Sequence, residues 1–311
     1  MMEQLSRTRT ALLIVFLVLV WGVNWPLSKF ALSYTPPLLF AGIRTLIGGL
    51  LLLIVAIPRY KQMRLKESWH IYLVSSAFNI ILFYGLQTVG LGYLPAGLFS
   101  IIVFLQPVLL GIFSWAWLGE SMFGLKILGL FLGFAGVATV GAKGLSGHIS
   151  VLGIVLALGC AFSWAIGTVF VKKAGHTVDS IWLTTLQLII GGLFMIGVGS
   201  KFESWSNIIW DAAFIWDLLF ISVFVIAAGW LVFFKLVNSG DASKVASYTF
   251  FIPFISLLAS IIFFNEAFTI SLLIGLILIV ASIALVNSKP KPLKAAIQTS
   301  HVTLQHESQG E

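Results

Sequence analysis

Apolar residues run through this chain in blocks of about twenty, divided by short polar breaks. Ten blocks can be read, near residues 10–32, 36–57, 70–90, 95–118, 124–141, 151–171, 180–199, 213–235, 242–264 and 269–287. About 20 residues at 1.5 Å each cross the hydrocarbon core of a bilayer, so each block predicts a membrane-spanning helix. The breaks carry turn-forming residues: SYTPP, GYLPAG, KGLSGH and NSGDAS. Beyond residue 287 the pattern gives way to KPKPLKAAIQTSHVTLQHESQGE, which predicts a disordered tail. No small-residue cleavage site follows the first block, so it reads as a retained helix.

Composition agrees with that pattern. Hydrophobic residues make up 59% of the chain and charged residues only 9%, whereas soluble domains are about a quarter charged. The net charge of +7 would suit a nucleic-acid binder, but its placement follows the spans instead. With the N-terminus inside, fourteen Lys and Arg residues fall on the cytoplasmic side and only Lys29, Lys143 and Lys201 outside. That is a strong positive-inside bias, and an odd number of helices would destroy it. Arg44 alone lies well within a block.

The two halves of the chain repeat. Adding 143 maps Trp21 to Trp164, Lys29 to Lys172, Ala31 to Ala174, Gly48 to Gly191 and Gly49 to Gly192. Adding 146 maps Ala96 to Ala242, Phe104 to Phe250, Pro107 to Pro253, Ser114 to Ser260, Glu120 to Glu266 and Gly129 to Gly275. Five spans per half is an odd number, so the halves enter the membrane in opposite directions. The fold class expected is an all-α polytopic membrane protein with ten transmembrane helices as two inverted five-helix repeats, a device of secondary transporters. The division expected is residues 1–9 as a cytoplasmic N-terminus, 10–141 and 151–287 as the repeats, and 288–311 as a cytoplasmic tail.

WGVNWPLSK and FSWAIGTVFVKK open the two halves, and PVLLGIFSWAWLGE and PFISLLASIIFFNE mark their fourth spans. Together these blocks resemble the EamA family of the drug/metabolite transporter superfamily, over about residues 10–287. The resemblance implies export or exchange of small metabolites, often amino acids, across the bacterial inner membrane. It also implies a central cavity lined mainly by segments one, three, four, six, eight and nine. An alternative within the same family is efflux of drugs or quaternary amines.

The odd residues in VWGVNWPLSKF now have a use. Pro26 removes a backbone hydrogen bond and predicts a kink. Asn24 can answer the freed carbonyl, face the cavity, or bond a neighbouring helix, since polar groups deep in a membrane turn inward. Trp21 and Trp164 occupy matching places and suit a cavity wall. Pro107 and Pro253 predict a second pair of kinks, so Pro26, Pro107 and Pro253 are the candidate hinges. Gln106, Ser247, Tyr248 and Thr249 lie beside those kinks and are candidates to bind substrate. Tyr84, Trp115 and Trp230 are candidates to stack on it. Lys29 and Lys172 read as snorkelling at opposite faces.

Glu120 and Glu266 fall thirteen residues after their prolines, which puts them near opposite surfaces. There they can pair with the first residues of the next helix, or serve in proton coupling. Arg44 can bind a substrate carboxylate or form a fixed ion pair. Its repeat mate is the neutral Gln187. No Asp or Glu reaches mid-membrane, and Asp217, about a turn into segment eight, is the nearest. A facilitator or weakly coupled exchanger follows from that.

Cys160 is the single cysteine, so no intrachain disulfide forms. The five histidines make no ligand cluster, and no zinc or iron–sulfur spacing exists. No cofactor or metal is expected. A membrane enzyme would need a Ser/His pair, paired aspartates or HExxH, and none is present. Gly129 and Gly133 form a GxxxG face on segment five, made for close packing within the chain or with a second copy. The expected partners are a small-molecule substrate and the lipid bilayer, with a homodimer open and no nucleic acid. The expected location is the bacterial plasma membrane, with both termini cytoplasmic.

Overall fold

The computed structural model describes residues 6–94, 99, 102–141, 150–175, 177–264 and 270–288. Among these residues the regular structure is all helical. In chain order the helices are α1 (Arg7–Ala31), α2 (Pro37–Ala56), α3 (Leu65–Gly90), α4 (Gln106–Leu118), α5 (Gly124–Gly141) and α6 (Val151–Ala174). There follow α7 (Ser180–Phe202), α8 (Ala212–Ser239), α9 (Ala242–Tyr248), α10 (Phe251–Phe264) and α11 (Ile270–Val286). Short polar side chains start several of them. Ser6 Oγ accepts from Arg9 N, Ser150 Oγ from Gly153 N, and Asp179 Oδ1 from the amides of Ile181 and Trp182. Each answers an amide that the first helical turn leaves free.

Six helices are long and apolar enough to cross a membrane: α1, α2, α3, α6, α7 and α8. The described parts of α4, α5 and α11 are shorter apolar helices. Block 242–264, expected as one span, is two helices, α9 and α10, with a turn at Thr249–Phe250 between them. A matching turn at Phe104–Leu105 precedes α4. The sequence predicts kinks at Pro107 and Pro253; the structure breaks the helix just ahead of each. Pro107 occupies the first turn of α4, where a missing N–H costs nothing. Pro253 is the third residue of α10. By contrast α1 runs on through Pro26 without a break.

The packing interlocks the two halves. The second helices, α2 and α7, lie against each other, as do the fifth helices, α5 and α11. The first helix of each half packs on the third and the broken fourth segment of the other: α1 on α8 and α10, α6 on α3 and α4. Lipid tails are as apolar as these side chains, so close van der Waals fit, not water exclusion, holds the pairs. Glycine sets the approach. A Cβ at Gly192 would stand 2.7 Å from the Leu46 amide nitrogen, and one at Gly129 would stand 2.9 Å from the Ser282 carbonyl oxygen. The GxxxG face of Gly129 and Gly133 is therefore used within the chain, against α11 and Phe250.

Charged caps tie distant segments at the two ends. At one end, Glu203 accepts from the amides of Leu38 (2.9 Å) and Leu39 (2.8 Å) at the start of α2. Nearby, Ile209 N donates to Tyr34 O at 2.8 Å. At the other end, Gly119 closes α4 in the left-handed region (φ 68°), and the Glu120 amide turns back to Ser114 O at 3.2 Å. That turn aims Glu120 at the start of α9. Its carboxylate accepts from Ala242 N (2.6 Å), from Ser243 N and Oγ, and from Lys126 Nζ (3.4 Å). The sequence suggested pairing with the next helix. Lys126 of α5 supplies that, but the amides come from α9, brought there by the fold. Glu266 lies outside the described residues. Lys172, expected to snorkel, instead turns in and donates to the carbonyls of Val237 (2.5 Å) and Gly240. The side chain of Lys29 is outside the described set.

The Glu120–Lys126 pair is buried, at 8% and 1% exposure. Glu120→Ala orphans a buried ammonium, a loss of about 3–5 kcal/mol. Thermal unfolding in detergent should show that loss. Adding Lys126→Met should recover part of it, because the uncompensated charge is gone while the Ala242 and Ser243 amides stay uncapped.

Candidate functional site

Both third segments carry a π-helical stretch near mid-length: Ala77–Leu82 in α3 and Ile221–Ala228 in α8. Such stretches disturb the usual helical bonding and occur often at functional sites. In lipid every freed carbonyl needs a donor. The first helix of the opposite half supplies them. Trp21 Nε1 of α1 donates to Val225 O at 3.1 Å. Ser163 Oγ and Cys160 Sγ of α6 donate to Phe78 O and Phe83 O.

Those contacts border a partly open cavity of about 40 Å³. Its wall is Trp21, Asn24 and Trp25 of α1, Phe83, Tyr84 and Gln87 of α3, Phe104, Trp164 of α6, Val225 and Trp230 of α8, and Ile252 of α10. These fall on segments one, three, four, six, eight and nine, the six that the family resemblance implies. The volume suits about three waters and no amino acid.

The wall is an aromatic box. Trp21 meets Trp164 and Trp230 edge-on, with ring centroids 5.6 Å apart in each pair. Phe83 lies 5.2 Å from Trp164. Edge-to-face pairs of this kind gain from the ring quadrupoles. Trp230 Nε1 donates to Tyr84 Oη at 2.9 Å. Tyr84 and Trp230 are themselves repeat mates by the offset of 146, as Trp21 and Trp164 are by 143.

Polar atoms break the box at few places. Asn24 Oδ1 accepts from Ser28 Oγ at 3.1 Å. Gln87 Oε1 and Trp164 Nε1 are buried and have no partner among the described residues. An acceptor and a donor thus stand free in an apolar pocket, the usual make-up of a small-molecule site.

Of the residues singled out in the sequence, Trp21, Asn24, Tyr84, Trp164 and Trp230 come together on this wall. Gln106 is fully buried, and neither amide atom has a partner among the described residues, but it does not line the cavity. Its repeat mate Ile252 does. Ser247 and Thr249 spend their hydroxyls on Lys244 O and Ala246 O. Tyr248 lines a separate groove of about 600 Å³ between α1 and α10, with Arg7 at its rim. Trp115 faces outward, 56% exposed. The wall residues not singled out are Trp25, Phe83, Gln87, Phe104, Val225 and Ile252. Gln87 carried a readable signal, a lone amide in an apolar run, the same one that marked Asn24.

Arg44 sits behind the wall. Its guanidinium is 1% exposed and lies 4.6 Å from the ring centres of both Phe40 and Tyr84. Nη1 donates to Ser28 Oγ at 3.0 Å. Cation–π contact and one hydrogen bond hold the charge in place. Among the described residues no group of three or more His, Cys, Asp and Glu is arranged to hold a metal.

Interlocked apolar helices closing on a small amphipathic cavity make this a helical membrane transporter. The chain belongs to the EamA-like transporter family, which matches it twice, over residues 8–142 and 151–288. It is 68% identical over 295 residues to the uncharacterized transporter YvbV of Bacillus subtilis (strain 168), covering 95% of this chain and 97% of that one. It is 26% identical to a probable amino-acid metabolite efflux pump of Escherichia coli (strain K12), covering 88% and 93%. A protein of known crystal structure superposes with a TM-score of 0.80 at 18% identity, over 91% of this chain and 97% of that chain, which shows a shared fold.

Tyr84→Phe should test the box. It leaves the Trp230 N–H buried without an acceptor, at a cost of about 1–3 kcal/mol. A lowered unfolding midpoint with altered tryptophan emission is the expected result.

Proposed function

We propose that the protein carries a small amphipathic metabolite, an amino acid or amino-acid derivative, across the bacterial plasma membrane by alternating access. The observation that carries this reading is the small cavity where repeat mates Trp21/Trp164 and Tyr84/Trp230 meet around the free Gln87 Oε1 and Trp164 N–H. An aromatic wall takes the apolar side chain. The free acceptor and donor take the ammonium and carboxylate ends, with the Asn24 amide beside them. The name borne by the E. coli relative, an amino-acid metabolite efflux pump, supports the same class.

In this reading the chain has ten spans in two inverted repeats, and both termini are cytoplasmic, as the lysine and arginine bias requires. The halves rock about the cavity, and the helix breaks before Pro107 and Pro253, with the proline of α1, are the hinges. Interlocked pairing of first, second and fifth helices supports a two-body motion, since each half can exchange roles with the other. A second reading rests on the same box: Trp21, Trp164 and Trp230 with no carboxylate on the wall suit a quaternary ammonium held by cation–π contact.

Counterflow in proteoliposomes decides between them, with phenylalanine, leucine, threonine and tetraethylammonium as labelled solutes. Amino-acid counterflow is the expected outcome. Gln87→Ala should weaken it about tenfold, the worth of one hydrogen bond of about 1.4 kcal/mol to a polar group. Counterflow of tetraethylammonium alone would replace the amino-acid reading with the second one. Unchanged rates in both Gln87→Ala and Asn24→Ala would remove the cavity from the transport path.

A further inference from the structure

Asp217 is the sixth residue of α8, about 8 Å into the helix. It is 7% exposed, and neither carboxylate oxygen has a hydrogen-bond partner among the described residues. A carboxylate held this way in a membrane protein is costly in its charged form. Arg44 of α2, a helix packed on α8, is itself buried, with Nε unpartnered among the described residues. The two form no ion pair within 4 Å. They are a charge pair held apart.

The matching place in the other half carries no such charges. Repeat mates of Arg44 and Asp217 are Gln187 and Ile71. At the mate position, Ser75 Oγ and Ser76 Oγ donate to Gln187 Oε1 and Gln187 O, so neutral hydrogen bonds do the packing. One end of the molecule therefore carries a buried pair that the matching place in the other half lacks. Arg44 also reaches the cavity wall twice. Arg44 donates to Ser28, which donates to Asn24, and the Arg44 guanidinium lies on the Tyr84 ring.

We infer that Asp217 takes up and releases a proton in each transport cycle, with Arg44 as its counter-charge, coupling solute movement to the proton gradient. This rests on the transporter reading above and replaces the facilitator expected from the sequence. The proton passes from water on one face to a carboxylate oxygen and leaves to water on the other. Charged Asp217 draws Arg44 toward α8. Neutral Asp217 leaves Arg44 to Ser28 and Tyr84, and so resets the Asn24 and Tyr84 side of the wall. The elements packed on the first turns of α8 bring few other titratable groups. α2 brings Arg44, and α1 brings only the neutral Ser28 and Asn24 among described side chains, with Lys29 next in sequence to Ser28. The α1–α2 turn brings Tyr34, which stacks on Phe214. Tyr84 of α3 lies beyond Arg44, and Asp211 is the exposed cap of α8 itself.

The test uses the full chain in proteoliposomes with labelled phenylalanine, leucine and threonine. Two assays run side by side: counterflow at equal pH, and accumulation driven by a pH gradient alone. Wild type should show both. Asp217→Asn should lose gradient-driven accumulation at least about tenfold while still exchanging solute. Asp217→Glu should restore coupling with a shifted pH midpoint. Wild-type counterflow with no gradient-driven transport overturns the proposal and leaves the transporter reading standing, as does Asp217→Asn that still follows the gradient. Absence of counterflow overturns the substrate reading instead. Infrared difference spectra between about pH 5 and about pH 9 then decide the proton site without any solute. A carboxyl C=O band present in wild type and missing in Asp217→Asn supports it, and no such band in wild type overturns it.

Discussion

A backbone carbonyl without a donor is tolerated in water and expensive in lipid, and the centre of this protein is organised by that rule. Two π-helical stretches and two helix breaks sit where a plain bundle would have unbroken rods. Each π stretch is completed by the other half: Trp21 reaches Val225 O, and Ser163 and Cys160 reach α3. Each half thus supplies donors to the backbone of the other. The same exchange that completes the backbone brings Trp21, Trp164, Tyr84 and Trp230 around one space. Cavity and interlock are thus one construction, with the irregular backbone confined to where protein surrounds it.

Within that construction the repeat mates divide into two kinds. Trp21/Trp164 and Tyr84/Trp230 keep an aromatic ring on both sides. Asn24/Gly167, Gln87/Phe233 and Arg44/Gln187 differ. Gly167 has no side chain because Asn79 packs on it, where an added Cβ would stand 2.3 Å from Asn79 Oδ1. The aromatic frame is therefore duplicated and the polar chemistry is not. Shared positions serve the geometry that both halves need. Divergent ones supply a pocket whose two walls differ in charge and hydrogen bonding.

Much of the fold was legible because rare residues stand out in an apolar chain. The offsets of 143 and 146 rested on Trp, Pro, Gly and Glu, types that chance rarely aligns. Trp21, Asn24 and Trp164 drew notice for the same reason, and they meet on the cavity wall. Phe83, Val225 and Ile252 could not be read, since an apolar residue facing a cavity looks like one facing lipid. The π stretches AFNIIL and ISVFVIAA have no residue that marks them. Glu120 was paired with the next helix, where Lys126 lies, but the amides it caps are 122 and 123 residues on, a distance no local pattern spans. Asp217 was read as the acidic residue nearest mid-membrane, about a turn into its helix, but depth along a helix says nothing about which way the side chain turns.

Cys160 closes the same space from the α6 side. It is the only thiol in the chain, fully buried, with Sγ turned to Phe83 O beside the cavity. A thiol walled in this way is chemically silent. Its silence lasts only while α6 and α3 stay in contact. The natural chain thus carries its own clock for that separation: the rate at which an alkylating reagent reaches this one sulfur reports how often the two halves part, with no label introduced and no other cysteine to confuse the count.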